Sequence, residues 1–125
     1  MSTIVLIGRV LLSIIFILSG FGKLTALGGT AGYFASLGIP APMVAAVVVG
    51  LVELVGGLAV LLGFRTREGA WALAIFCVAS AVVAHSDWSD MMQMIAFQKN
   101  LALAGGLLVL AAFGPGPISI EARRA

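Results

Sequence analysis

Four long apolar runs divide the chain, at about 4–21, 43–63, 69–84 and 95–113. Each is close to the roughly 20 residues that an α-helix needs to cross the hydrocarbon core of a bilayer. Period-two alternation over about ten residues, the mark of a membrane-barrel strand, is missing. The pattern therefore predicts an all-α integral membrane four-helix bundle, a single transmembrane domain over 1–125. Within the runs, small and polar residues recur at helical spacing. Arg9, Ser13, Phe16, Gly20 and Lys23 form one stripe, and Ala46, Gly50, Glu53 and Gly57 a second. Ala70, Ala74, Cys77 and Ala81 form a third and Lys99, Ala102 and Gly106 a fourth. Stripes of small residues let helices approach closely in lipid.

The connections differ in kind. Residues 63–68 read as a tight basic turn. The longer first connection, 23–42, predicts a short interfacial helix, with Gly28-Gly29-Thr30 opening it, Thr30 as its cap, residues 31–37 continuing it, and Gly38, Pro40 and Pro42 ending it. Tyr33, Phe34, Trp88 and Trp71 fit the aromatic belts at headgroup level. A cleavable leader usually ends in a small-x-small pattern, which is not evident here, and Arg9 interrupts the first apolar run, so that run is expected to remain as a helix.

Composition agrees: of 125 residues 62% are hydrophobic and 10% charged, against roughly a quarter charged in soluble domains. Four crossings leave no room for a soluble catalytic domain. The net charge of +2 reflects loop arginines and gives no reason to expect nucleic acid as a partner. Arg65, Arg67, Arg123 and Arg124, with Arg9 nearby, lie on one side, whereas Lys23 and Lys99 lie on the other beside Asp87 and Asp90. The positive-inside rule then places both termini in the cytoplasm.

An ionisable group deep in the bilayer costs about 2.5–3.5 kcal/mol on insertion scales, so Arg9, Glu53 and Lys99 demand partners that packing seams do not supply. We read a polar funnel open to the outer side. Its rim is Lys23, His85 and Gln93, its wall Lys99 and Asn100, and its floor Glu53 with Arg9 beneath. If Arg9 pairs with Glu53, the carboxylate is structural; if Arg9 snorkels to the cytoplasm, Glu53 becomes a proton carrier. Lys99 either holds an anionic or carbonyl-bearing ligand or snorkels outward, and His85 either moves protons or is merely solvated.

The single cysteine, Cys77, is too few for self-contained dithiol chemistry. One histidine is too few for bis-histidine haem ligation, and no metal-ligand cluster is written in the chain, so neither haem nor metal is expected. A small apolar molecule with a polar head, such as a quinone or a lipid, remains.

Five segments, in this order and spacing, carry a family resemblance. They are Gly8-Arg9, Ser19-Gly20-Phe21-Gly22-Lys23-Leu24, Gly38-Ile39-Pro40-Ala41-Pro42, Glu53-Leu54-Val55-Gly56-Gly57 with Arg65-Thr66-Arg67, and Gln98-Lys99-Asn100-Leu101 with Gly105-Gly106. Over nearly its whole length the chain resembles the DoxX family. The resemblance implies a four-helix bacterial inner-membrane protein, and Arg9, Lys23, Glu53, His85, Lys99 and Asn100 match its recurrent polar pattern. It further implies association with quinone-linked oxidation of sulfur compounds or with complexes handling thiol and oxidative stress, beside soluble redox partners.

Three functions are compatible with these features. The first is the membrane subunit of an oxidoreductase system, with Glu53 and His85 moving protons and Arg9, Lys23, Lys99 and Asn100 holding a quinone-like or lipid-like ligand. The second is a non-enzymatic scaffold or assembly factor whose buried charges only fix helix packing. A small proton-coupled exporter is the third, disfavoured because its membrane glutamate would sit on the first helix and its loop charge would be balanced. Exposed small-residue seams suit a homodimer.

Overall fold

The computed structural model describes residues 2–124, which form six α-helices: α1 (Ser2–Thr25), α2 (Leu27–Ser36), α3 (Pro42–Leu62), α4 (Thr66–Ala84), α5 (Met91–Phe113) and α6 (Ile120–Arg124). Helices α1, α3, α4 and α5 are each long and apolar enough to cross a membrane, and the chain is a multi-pass membrane protein. All four begin and end within a few residues of the apolar runs. The largest extensions are α1, which continues through Lys23, and α5, which starts at Met91, where the Asp90 side chain accepts a hydrogen bond from Met92 N.

The bundle is built as two antiparallel pairs, α1 with α3 and α4 with α5, joined through α3 and α4. Helices α1 and α5 barely touch, and α2 lies across α3. Close approach of α1 and α3 comes from glycine. A Cβ on Gly20 would fall 2.6 Å from Leu54 N and 2.7 Å from Gly50 O, and one on Gly57 would meet the side chain of Ile17. These contacts place residue 20 level with 50–54, and 16–17 level with 57.

Buried positions on α1 are Arg9, Ser13, Phe16 and Gly20, and those on α3 include Ala46, Gly50, Glu53 and Gly57, so the first two predicted stripes are the inward faces. The α4 stripe is inward as well, joined by Leu73. On α5 the inward face differs from the predicted one: Asn100, Ala104, Leu107, Leu110 and Ala111 are buried, whereas Ala102 is exposed. Leu107 and Leu110 belong to the same core cluster as Ala70 and Ala74 of α4, and that large-against-small fit outweighs a small-residue seam. Outward faces carry Leu11, Leu18, Val55, Ile75 and Val109, as lipid contact requires.

The connections hold two surprises. Helix α2 starts at Leu27, three residues before Thr30, and the Thr30 hydroxyl donates back to Ala26 O at 3.0 Å instead of capping the helix. Its end is a Schellman-type turn, in which Ile39 N donates to Phe34 O and Gly38 takes φ +78°. Phe34 is buried against Ala31 and Ala46 and is therefore a packing residue. Tyr33, Trp71 and Trp88 are exposed, as the belt positions predict.

Candidate functional site: a polar chamber between the helix pairs

On the α2 side of the bundle, the level set by Gly20 brings Lys23 of α1 against Glu53 of α3. The Lys23 Nζ lies 2.7 Å from Glu53 Oε1 and donates to Ser19 Oγ at 2.7 Å. The carboxylate is 3% exposed, and this ammonium is the only partner of Oε1 among the described residues. A buried carboxylate so placed needs its counter-ion, because removing one partner of a desolvated pair leaves a charge that the interior does not solvate.

This pair forms part of the lining of a cavity of about 140 Å³. Cys77 and Ser80 of α4, His85 at the α4 C-terminus, and Lys99 and Asn100 of α5 complete its polar lining. Five of the six site residues expected from the sequence thus meet in one chamber. Gln93, expected at its rim, instead accepts a hydrogen bond from Asp87 N in the turn before α5. Ser19, Ser80 and Cys77 were missed as lining residues, although the helical spacing of Cys77 and Ser80 to Ala84 and His85 could have indicated the α4 pair.

The sixth residue, Arg9, lies at the opposite end. Continuing the α1–α3 register puts Arg9 level with Gly63, ten residues from Glu53, or about 15 Å. The expected Arg9–Glu53 pair therefore does not form. Arg9 is 2% exposed, and its guanidinium donates to Pro115 O and Ile118 O, each at 2.9 Å, and to Leu61 O at 3.5 Å. Those carbonyls belong to the end of α3 and to the tail after α5, so Arg9 fastens the C-terminal segment across the base of the bundle. The same segment delivers Glu121, whose carboxylate accepts from Thr66 N at 2.8 Å and from the Thr66 hydroxyl. It caps α4 from 55 residues away, where the α4 N-cap residue, Arg65, offers no side-chain cap of its own.

Comparison with known proteins agrees with this architecture. The DoxX family model matches residues 4–86. The chain belongs to the DoxX family. Among relatives of this DoxX protein, Inner membrane protein YqjF of Escherichia coli (strain K12) is 42% identical over 117 residues, covering 94% of this chain and 88% of the relative. Inner membrane protein YphA of the same organism is 40% identical, covering 96% and 89%. A Bacillus subtilis (strain 168) protein named Putative oxidoreductase CatD is 41% identical over 59 residues, 47% of this chain and 42% of its own length. No solved structure matches the chain.

The electrostatics of the DoxX chamber are uneven. Lys23 is matched by Glu53, but Lys99 has no ion-pair partner among the described residues. His85 titrates below its ordinary value of 6.5, first because it is partly buried and second because the Lys99 ammonium opposes a second positive charge. At neutral pH the imidazole is therefore uncharged. Among the described residues no three His, Cys, Asp or Glu side chains cluster as metal ligands would.

Proposed function

We propose that this DoxX protein is an inner-membrane subunit of an oxidoreductase system and that its polar chamber holds the head group of a quinone-like molecule. One observation carries the reading: Lys99, a cation without an ion-pair partner among the described residues, lines a small polar chamber that also contains a buried carboxylate and a neutral imidazole. A quinone head presents carbonyl acceptors, and Lys99 and Asn100 are donors suited to them. When bound, such a group would carry electron pairs between the membrane and a partner. Glu53 and His85 would hold and move the accompanying protons, Glu53 with Lys23 as its counter-ion and His85 as an acceptor already neutral at pH 7. Arg9 has no part in this chemistry, since it lies at the other end of the bundle, where its terminal nitrogens donate to backbone carbonyls.

The name of the partly matching Bacillus subtilis relative supports an oxidoreductase association, and the two Escherichia coli relatives support the inner membrane. The surplus of arginine beside the termini supports a cytoplasmic location for them. Because the chain has one cysteine, electrons would enter from a separate soluble redox partner. A non-enzymatic scaffold is the second reading, favoured by the Arg9 and Glu121 contacts, which are structural.

Purification in mild detergent followed by mass spectrometry of copurifying small molecules and proteins tests the first reading. The expected result is a bound quinone, with quinone-linked electron transfer through the partner lost in Lys99→Ala and Glu53→Gln at normal protein abundance. Absence of quinone together with unchanged electron transfer in both variants rejects it in favour of the scaffold.

A further inference from the structure

A second cavity, of about 400 Å³, opens beside the polar chamber, beneath α2. Its walls are almost entirely apolar, with Phe34 from α2, Leu37 and Ile39 from the turn that follows it, Val49 from α3, and Phe76 and Val83 from α4. Its size falls within the range of small-molecule sites, about 300–1,000 Å³. Four residues belong to both cavities: Lys23, Phe76, Ser80 and His85. The two spaces therefore adjoin across these four side chains, with polar groups lining the smaller and apolar groups the larger. Tyr33 and Val83, each about half exposed (50%), stand where the larger cavity reaches the lipid-facing surface.

We propose that this apolar cavity seats the hydrocarbon chain of the molecule whose head group occupies the polar chamber, so that the ligand is a single-chain amphiphile admitted sideways from the bilayer beneath α2. The inference rests on the chamber reading above and specifies the class of molecule: an acceptor-bearing head, quinone carbonyl or carboxylate, joined to one apolar chain. The chemistry follows from the division of polarity. A head that accepts hydrogen bonds is matched by Lys99 and Asn100, whereas a chain gains by leaving the bilayer only for a cavity lined with comparably apolar groups. A head group without a chain leaves most of the combined volume unfilled and forgoes the contact of the larger cavity. Helix α2 is suited to the role of cover because it rests on α3 and hardly touches α1.

Photo-crosslinking of the full chain in lipid nanodiscs tests this, with three probes: a benzoquinone carrying a decyl chain with a terminal diazirine, the same quinone without a chain as competitor, and decanoate carrying the same diazirine. Labelling by the decyl quinone is expected to concentrate within 33–49 and 76–83. Ala45→Leu and Ala79→Phe, which fill the cavity, are expected to lower that labelling about tenfold, while Leu11→Phe on the lipid-facing side of α1 leaves it unchanged. If the chainless quinone binds as well as the decyl quinone, and labels scatter over Leu11, Leu18 and Val109, the chain seat is wrong although the quinone reading stands. If decanoate labels the cavity and no quinone does, the seat stands with a carboxylate head and the quinone reading falls. If neither probe labels the cavity, both are rejected.

Discussion

The two ends of this bundle each bury a charge, and they treat it in opposite ways. At the base, Arg9 meets the carbonyls of Leu61, Pro115 and Ile118, and it lines neither of the two cavities described above. Under α2, Glu53 meets one ammonium, a second ammonium stands nearby without a partner, and open space lies between them. A charge tied mainly to fixed backbone groups holds the fold together and has little left to offer a ligand. A charge matched by a flexible side chain next to a cavity keeps donors and acceptors free for something else. Burial alone does not separate the two cases, since Arg9 is 2% and Glu53 3% exposed; the partner and the adjoining space do.

The sharpest way to break the comparison is to remove the charge at the base. Arg9→Ala strands two well-formed charged hydrogen bonds to carbonyls, each worth about 1.5–3 kcal/mol. The expected loss is therefore about 3 kcal/mol or more, read as a fall in membrane abundance and in unfolding temperature in detergent. Surviving molecules should bind ligand normally, because sites this far apart contribute independently. A ligand defect at normal abundance shows that the two ends are coupled. Gly20→Ala comes next, at about 1–3 kcal/mol. The added methyl meets backbone atoms of α3, which have no rotamer to yield. Unlike Arg9→Ala, it should disturb stability and chamber together, since the same contact sets the level at which Lys23 reaches Glu53.

That contact also explains what the sequence disclosed and what it withheld. The four crossings were readable because each apolar run matches the bilayer thickness, and three of four inward stripes were readable from helical spacing. The place of Arg9 directly beneath Glu53 was not readable, because helical spacing within each run carries no information on the relative level of two helices, which is fixed by where their glycines touch. Gly50 and Gly57 lie seven residues apart, as do Ser13 and Gly20. That equal spacing suggests Gly50 beside Gly20 and Gly57 beside Ser13, but the contacts set Gly57 beside Phe16 and Ile17, and it is this shifted level, with Glu53 against Gly20, that brings Lys23 within reach. The partners of Arg9 lay in the tail after α5, where no periodicity marks a residue as a partner. The early start of α4 had the same origin, because its cap is the distant Glu121. On α5, the fit of large residues to the alanines of α4 decided the face, and a small-residue stripe alone gave the wrong one.

Within the chamber the expected effects are smaller and concern binding rather than folding. Lys99→Ala removes a cation with no ion-pair partner among the described residues, so its effect on stability should stay within about 0.5 kcal/mol. Affinity for a quinone probe should fall about tenfold, equivalent to about 1.4 kcal/mol. A stability loss of the size expected for Arg9→Ala would place Lys99 in the structural class and erase the distinction between the ends. At the base, Glu121→Ala removes the cap of α4 and should cost about 1 kcal/mol. The Glu121 carboxyl is held below its ordinary value of 4.5 by the Thr66 hydroxyl and backbone N–H, with Arg67 and Arg9 adding to the effect. Its stabilisation is therefore present above pH 4.5 and lost as the pH falls through the depressed folded value. Thermal unfolding of wild type and Glu121→Ala should converge in acid.

The smallest effect is the most direct on the chamber itself. His85 is the only histidine, so its imidazole resonances can be followed without assignment ambiguity. The midpoint should lie below 6.5, because burial and, second, the Lys99 ammonium both oppose the charged form. Above pH 6.5 the imidazole is neutral whether the chain is folded or not, and contributes nothing to stability. As the pH falls through 6.5 the unfolded chain takes up the proton first, so the folded state loses stability until the depressed midpoint is passed. Lys99→Ala should raise the midpoint and leave it below 6.5, since burial, the larger cause, remains. Arg9→Ala should not move it. If Lys99→Ala leaves the midpoint unchanged, the ammonium is directed at solvent and not into the chamber, and the unmatched cation on which the ligand site depends is lost.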